Sequence, residues 1–336
     1  MSLKDYIFSP DQDPVSYDYY KKQEACDWSV EEFDFTKERD DYLKSPKNIQ
    51  TLMKKIIGFF LIGDGLISET LIVYIQKAIE DKNWPKVFYL SMQLKIENTH
   101  AETYSKAALT IIPENEHSEI IQMCEEKECL KKKARWVQKY TTDYLNEGME
   151  NVACAVGEGV FFIAQFAIIF YMRKLNLFKN FINSNEKISP DETLHRNQKC
   201  SEAKEYFTKI GYPEKEVESA LELIKDGVEV EKIFARDLLS EGVLGEQSDK
   251  DAGLTIENLE GYIEMLADQI CYLIGFPIIY GTKVELKWMD DINMLQKVNF
   301  YENDNVASYR KFTPKNQEDV EEEKEVDLED LDGIDF

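Results

Sequence analysis

From about residue 48 onward, apolar residues return every third or fourth position, the spacing of amphipathic helices and not of strands. Residues 48–80 and 85–112 show it most clearly. Asn83-Trp84-Pro85 separates the two, with Pro85 suited to a first helical turn, and Pro113 ends the second. Residues 118–145 contain the basic, amphipathic run KKKARWVQKY, and residues 146–175 form a nearly continuous apolar helix. A further helix is expected over roughly 186–211, stopped by Gly211-Tyr212-Pro213, and two more over 214–242 and 256–275. Strand alternation is scarce and no repeat of solenoid length is present. An all-α bundle is the expected fold, and 336 residues are enough to bury a substantial core. His117 falls in a polar stretch, Pro113-Glu114-Asn115-Glu116, and is expected at the surface of a loop.

Charge narrows the partners. With 40 basic and 65 acidic residues the formal charge is -25, which disfavours nucleic acid or an anionic membrane surface. From Glu318 to Phe336 there are eleven acids and one lysine, the composition of a solvated, flexible tail. Leu331, Ile334 and Phe336 nevertheless place apolar groups among those acids, as a peptide that docks in a partner's groove would. Six scattered cysteines without a CxxC pair, and no leader sequence, point to an intracellular protein with reduced thiols. The run from Val152 to Phe170 approaches membrane-spanning length but carries Glu158 near its middle. A buried core helix is expected instead, and its carboxylate must be paired, protonated or bound to metal.

The chain has three histidines, and two of them sit in the same pattern: Glu97-Asn98-Thr99-His100 and Glu192-Thr193-Leu194-His195. Positions i and i+3 share a helix face, so each motif aims a carboxylate and an imidazole at one point. Asp64, in Phe59-Phe60-Leu61-Ile62-Gly63-Asp64, and Glu158 are further acids in oily surroundings. Alone, Asp64 reads as a helix cap, Glu158 as a partner for a buried cation and His195 as a core histidine. Together, four carboxylates and two imidazoles offset two divalent ions and bridge between them, as in ferritin-like di-iron bundles. Zinc prefers fewer ligands in a tetrahedron, whereas this mixed set suits iron or manganese.

These segments resemble the radical-generating small subunit of class I ribonucleotide reductase. The resemblance runs from about Trp28 to Tyr309 and is carried by DWSVEEFD, FFLIGDGLISE, IENTHAETY, GEGVFFIAQFA, DETLH, GYIEMLADQICYLIGF and NFYE. It implies a ferritin-like di-iron bundle with extra helices over residues 48–302, an N-terminal arm (1–47) bearing Trp28, and a flexible acidic tail (303–336). It implies two iron ions per chain, manganese being possible, held by Asp64, Glu97, His100, Glu158, Glu192 and His195. Tyr104, one turn beyond His100, corresponds to the radical tyrosine, and Phe162, Phe166 and Ile188 to its water-excluding pocket. Trp28, Asp191 and Tyr309 correspond to the path that relays the radical, and the residues around Leu331, Ile334 and Phe336 to the peptide that docks on the large subunit. The implied assembly is a cytoplasmic homodimer, or a heterodimer of small subunits, that acts with the large subunit to make deoxyribonucleotides from ribonucleoside diphosphates. The absence of a glycine-rich phosphate loop agrees with nucleotide binding on the partner.

Two positions depart from the family pattern. Pro190 stands where an arginine usually precedes the Asp191 position, so either the helix bends there or it starts locally with Ser189 as cap. Asp64 and Glu97 are two residues further apart than usual, and the extra length is expected near Glu80–Asn83. Rival readings are a stand-alone di-iron oxidase, an iron-storage shell and a metal-free pseudo-subunit. The first needs no tail, the second forms a cage, and the third would have lost ligands.

Overall fold

The computed structural model describes residues 3–142, 146–240 and 253–289, with no description of the side chains of 3, 4, 62–67, 141 and 142. Among the described residues there are helices and no strands. The N-terminal arm contains α1 (Pro14–Ala25) and α2 (Glu38–Lys44). The bundle comprises α3 (Lys47–Glu80), α4 (Trp84–Ile111), α5 (His117–Glu126), α6 (Glu128–Thr142), α7 (Glu147–Val160), α8 (Ile163–Tyr171), α9 (Lys179–Ile210), α10 (Glu214–Ser240) and α11 (Ile256–Ile274). The residues from 290 onward, including Tyr309, Leu331, Ile334 and Phe336, lie outside the described residues.

The central layers are two helix pairs. α3 packs along α4, and α7 packs along α9. The α3–α4 turn closes through Lys82, whose φ of 59° is left-handed, while the Asn83 side chain caps the first turn of α4 at Lys86 N–H. Close approach of α7 to α9 depends on glycine: a methyl built on Gly148 would sit 2.2 Å from the Tyr206 ring, and one on Gly159 would sit 2.3 Å from the Arg196 chain. These two glycines are three helical turns apart, so one face of α7 lies flush on α9. α10 and α11 cover the other side of α7.

Three boundaries differ from the sequence expectation. First, α9 begins at Lys179 and not near residue 186. Its opening turn has no local cap. Glu38 and Asp41 of α2, far away in sequence, accept the backbone N–H groups of Phe181 (2.9 Å), Asn180 and Phe178 (3.1 Å). α9 then passes through Pro190 without a break, which removes the alternative of a local helix start at Ser189. Second, the basic stretch is two helices. Extended backbone at Lys127 lets α5 lie on α3 while α6 turns to α7 and α10. His117 opens α5, half-buried, with its Nε2 2.9 Å from the Ile112 carbonyl, so it is not a loop residue.

Third, the apolar helix is interrupted. α7 stops at Val160 and α8 starts at Ile163, with Phe161 and Phe162 between them. The backbone groups freed by that break are met by side chains. Glu231 of α10 accepts the Ala164 N–H at 3.0 Å, and Lys133 of α6 donates to the Phe161 carbonyl at 2.6 Å. Lys133 and Glu231 also form an ion pair with each other, and the Lys133 ammonium lies 3.8 Å from the Phe234 ring centroid and 4.1 Å from that of Phe59. Burial pushes the Lys133 ammonium down to about 8 against the pull of Glu231, and pushes the Glu231 carboxyl up to about 7 against the pull of Lys133. A charged pair is tolerated here because the backbone needs one donor and one acceptor at this depth.

Breaking that brace with either Lys133→Met or Glu231→Gln is expected to lower stability by about 3–5 kcal/mol, since each leaves a buried partner uncompensated. The double variant is expected to lose much less than the sum of the two singles, measured by urea unfolding of all four proteins.

Candidate metal centre

α4 places Glu97 and His100 on one inward face, α9 places Glu192 and His195 on another, and α7 supplies Glu158. All five are buried. Ligating atoms of Glu97, Glu158, Glu192 and His195 lie within 4.8 Å of one another. His100 Nδ1 is 3.1 Å from Glu192 Oε1 and 3.5 Å from Glu97 Oε2. His195 Nδ1 is 3.0 Å from Glu97 Oε1 and 3.6 Å from Glu192 Oε2. Glu97 and Glu192 therefore each face both imidazoles. Asp64 is in α3, the fourth helix of the set, but its side chain is outside the described residues.

These atoms are close without being hydrogen-bonded in the usual geometry. Both Glu97 oxygens, Glu158 Oε2, Glu192 Oε2, His100 Nδ1 and both His195 ring nitrogens lack a hydrogen-bond partner among the described residues. Buried polar atoms are seldom left this way, and so many converging on one spot fits cations held among them. Oxygen donors with imidazole suit iron or manganese.

The electrostatics describe the same requirement. Burial, then the charges of Glu97 and Glu192, push the Glu158 carboxyl far above the usual range. Burial pushes Glu97 and Glu192 upward too, but the two imidazoles hold both below the usual range. Burial lowers His100 and His195, yet the facing carboxylates win: His100 is raised well above its ordinary value, chiefly by Asp191, and His195 is raised to about 9. Within the protein alone, protonated histidines supply the positive charge that this pocket demands.

Around the cluster, His100 Nε2 lies 3.2 Å from Asp191 Oδ2, and that same oxygen accepts the Trp28 indole N–H at 2.8 Å. The contact fixes the ring so that Nδ1 faces Glu97 and Glu192. Tyr104, one turn beyond His100, is fully buried and donates to the Asn185 amide oxygen at 2.8 Å. Its ring stacks on Phe60 with centroids 4.1 Å apart, and Phe60 in turn meets Phe162 (5.6 Å) and Phe166 (5.7 Å). Ile188 is buried one turn before Glu192.

Four contacts were not anticipated. Gln93 donates to Glu158 Oε1 at 3.1 Å, Gln23 donates to Asp191 Oδ1 at 2.7 Å, Asn185 accepts from Tyr104, and Phe60 covers the phenol ring. Gln93 and Asn185 carried a signal: each lies a whole number of turns from a motif glutamate, Gln93 four before Glu97 and Asn185 seven before Glu192. Gln23 carried none, since its helix belongs to the arm.

The chain matches the family described as ribonucleotide reductase, small chain, over residues 6–287. The ribonucleoside-diphosphate reductase small chain of vaccinia virus (strain Copenhagen) is 32% identical over 324 residues, covering 96% of this chain and 97% of the relative. The corresponding small subunit of Plasmodium falciparum is 33% identical over 301 residues, covering 89% and 88%. Among solved structures, the dimanganese(II) NrdF protein of Streptococcus sanguinis superposes with a TM-score of 0.72 at 18% identity, covering 87% of this chain and 98% of that one, which shows a shared ferritin-like helical fold. A match along this much of the sequence leaves no ambiguity of family: the chain belongs to the small chains of ribonucleotide reductase and is an oxidoreductase of the ribonucleoside-diphosphate reductase kind.

Proposed function

We propose that this chain holds two iron ions at Asp64, Glu97, His100, Glu158, Glu192 and His195, and generates on Tyr104 a stable radical that a large subunit uses to reduce ribonucleoside diphosphates. The observation that carries this reading is the convergence of unpartnered carboxylate and imidazole atoms within one helical turn of a buried phenol. Family small subunits are homodimers that work with a large subunit and contain a pair of metal ions, iron or manganese. When bound, the ion pair supplies electrons to dioxygen and the oxidising power to take one from a phenol.

The protein's own groups do the rest. Glu97 and Glu192, each facing both imidazoles, would hold the ions together with them and supply the negative charge that two cations require. Gln93 orients Glu158 through Oε1 and leaves Oε2 free to bind. Asn185 is itself held by the Phe181 carbonyl at 2.8 Å, so its amide oxygen fixes the Tyr104 hydroxyl without being able to take its proton. Phe60, Phe162, Phe166 and Ile188 exclude water and reductants from the phenol. Trp28, Asp191 and His100 form a continuous hydrogen-bonded path that supports outward relay of the radical, with Tyr309 the next carrier. Residues 303–336 form the docking tail in this reading, with Leu331, Ile334 and Phe336 as its apolar anchors, in a cytoplasmic enzyme.

Adding ferrous iron and air to metal-free protein is expected to load two irons per chain and to give a tyrosyl signal in electron paramagnetic resonance. Tyr104→Phe is expected to keep the iron and lose the signal; a signal that persists would exclude Tyr104. Asn185→Leu is expected to keep a radical with its largest g value unchanged, because the amide oxygen that accepts from the phenol has no proton to donate to a phenoxyl oxygen. Deleting residues 318–336 is expected to leave radical yield intact while reducing turnover with the large subunit to background.

A further inference from the structure

A cavity of about 160 Å³ lies beside Glu158, on the flank of α7 facing α3 and α6. Half-buried Cys124, Ala134 and Val137 stand toward its outer side, and Glu158, Phe161 and Phe162 close its inner end. Its walls are overwhelmingly apolar. Of the two lysines that line it, Lys131 and Lys133, the Lys133 ammonium is taken up by Glu231 and the Phe161 carbonyl. Apolar cavities of this size stay dry and accept apolar guests as large as benzene or xenon, because water needs two or more polar partners to be held.

Gly157 shows that the space belongs to the design of α7. It is an interior helical residue, where glycine is a poor helix former, and nothing in its backbone calls for it. The two other glycines that face neighbours, Gly148 and Gly159, are excluded from carrying a side chain by contact with α9. Gly157 is different: a methyl built there meets no atom of the described residues within 4 Å, and Gly157 itself lines this cavity. Any larger residue would fill the room immediately next to Glu158, whose Oε2 has no hydrogen-bond partner among the described residues.

We infer that this cavity is an access and holding site for dioxygen, an apolar diatomic, walled in part by Glu158 and by the Phe162 ring that also lines the Tyr104 pocket. The inference rests on the di-metal reading for the use of the gas, but the cavity's affinity for apolar gas does not. Apolar partition concentrates dioxygen beside Glu158 while the dry walls keep water and ionic reductants away from the phenol.

The test has two arms. In the first, crystals of metal-free protein are pressurised with xenon. Xenon is expected in the cavity of the wild type, weaker in Gly157→Ala and absent in Gly157→Leu, with thermal stability of both variants equal to or above wild type. Ordered water in place of xenon, or an empty cavity in the wild type, overturns the proposal. In the second, iron-loaded proteins are mixed with graded dioxygen and radical appearance is followed. Gly157→Leu is expected to bind the same iron and reach the same final yield, but with its rate at limiting dioxygen slowed severalfold and Gly157→Ala in between. A rate unchanged in a Leu variant that excludes xenon overturns the access role. Xenon binding in a wild type that takes up no iron and forms no radical supports the gas site and overturns the di-metal reading instead.

Discussion

Three carboxylates face one another in a volume from which water is excluded, and that concentration of negative charge is the constraint around which the chain is built. Bringing one ionised acid into such a medium is unfavourable by several kcal/mol, and bringing in three is tolerable only with compensating cations. The bundle meets this demand with two imidazoles and with open ligand atoms. Gly148 and Gly159 let α7 lie close on α9, which draws Glu158 toward Glu192. The acids are therefore pressed together by apolar packing elsewhere in the bundle, and cations held among them would balance the electrostatic strain.

The fold was legible from hydrophobic period and punctuation where those signals are local. α3, α4, α10 and α11 fall within a residue or two of the expected bounds over the described residues, because Asn83, Pro85, Pro113, Gly211 and Gly275 mark their ends. The misplaced boundaries share a cause. α9 starts a full two turns early because its cap comes from Glu38 and Asp41, and the apolar helix breaks because Lys133 and Glu231 meet its freed backbone groups. No window of sequence contains both halves of such a cap.

The centre was legible because two of three histidines repeat one motif, a coincidence visible without coordinates. The Trp28 indole and the His100 imidazole both meet Asp191. What surrounds them was not visible. Pro190 stands where the family pattern has an arginine, and Gln23 from the arm donates to Asp191 Oδ1. The amide and the indole are both neutral donors to Asp191, whereas the imidazole beside it can carry positive charge.

The arm and α9 meet where Glu38 and Asp41 seat the helix's first turn, where Gln23 and Trp28 reach Asp191, and where the Tyr19 hydroxyl lies 3.2 Å from that of Ser201. Attachments ten or more residues apart along α9 prevent the arm from pivoting about any one of them. The indole and the helix that carries Glu192 are thus tied into one body, and any charge passing between them would cross a span set by that truss and not by the rest of the surface.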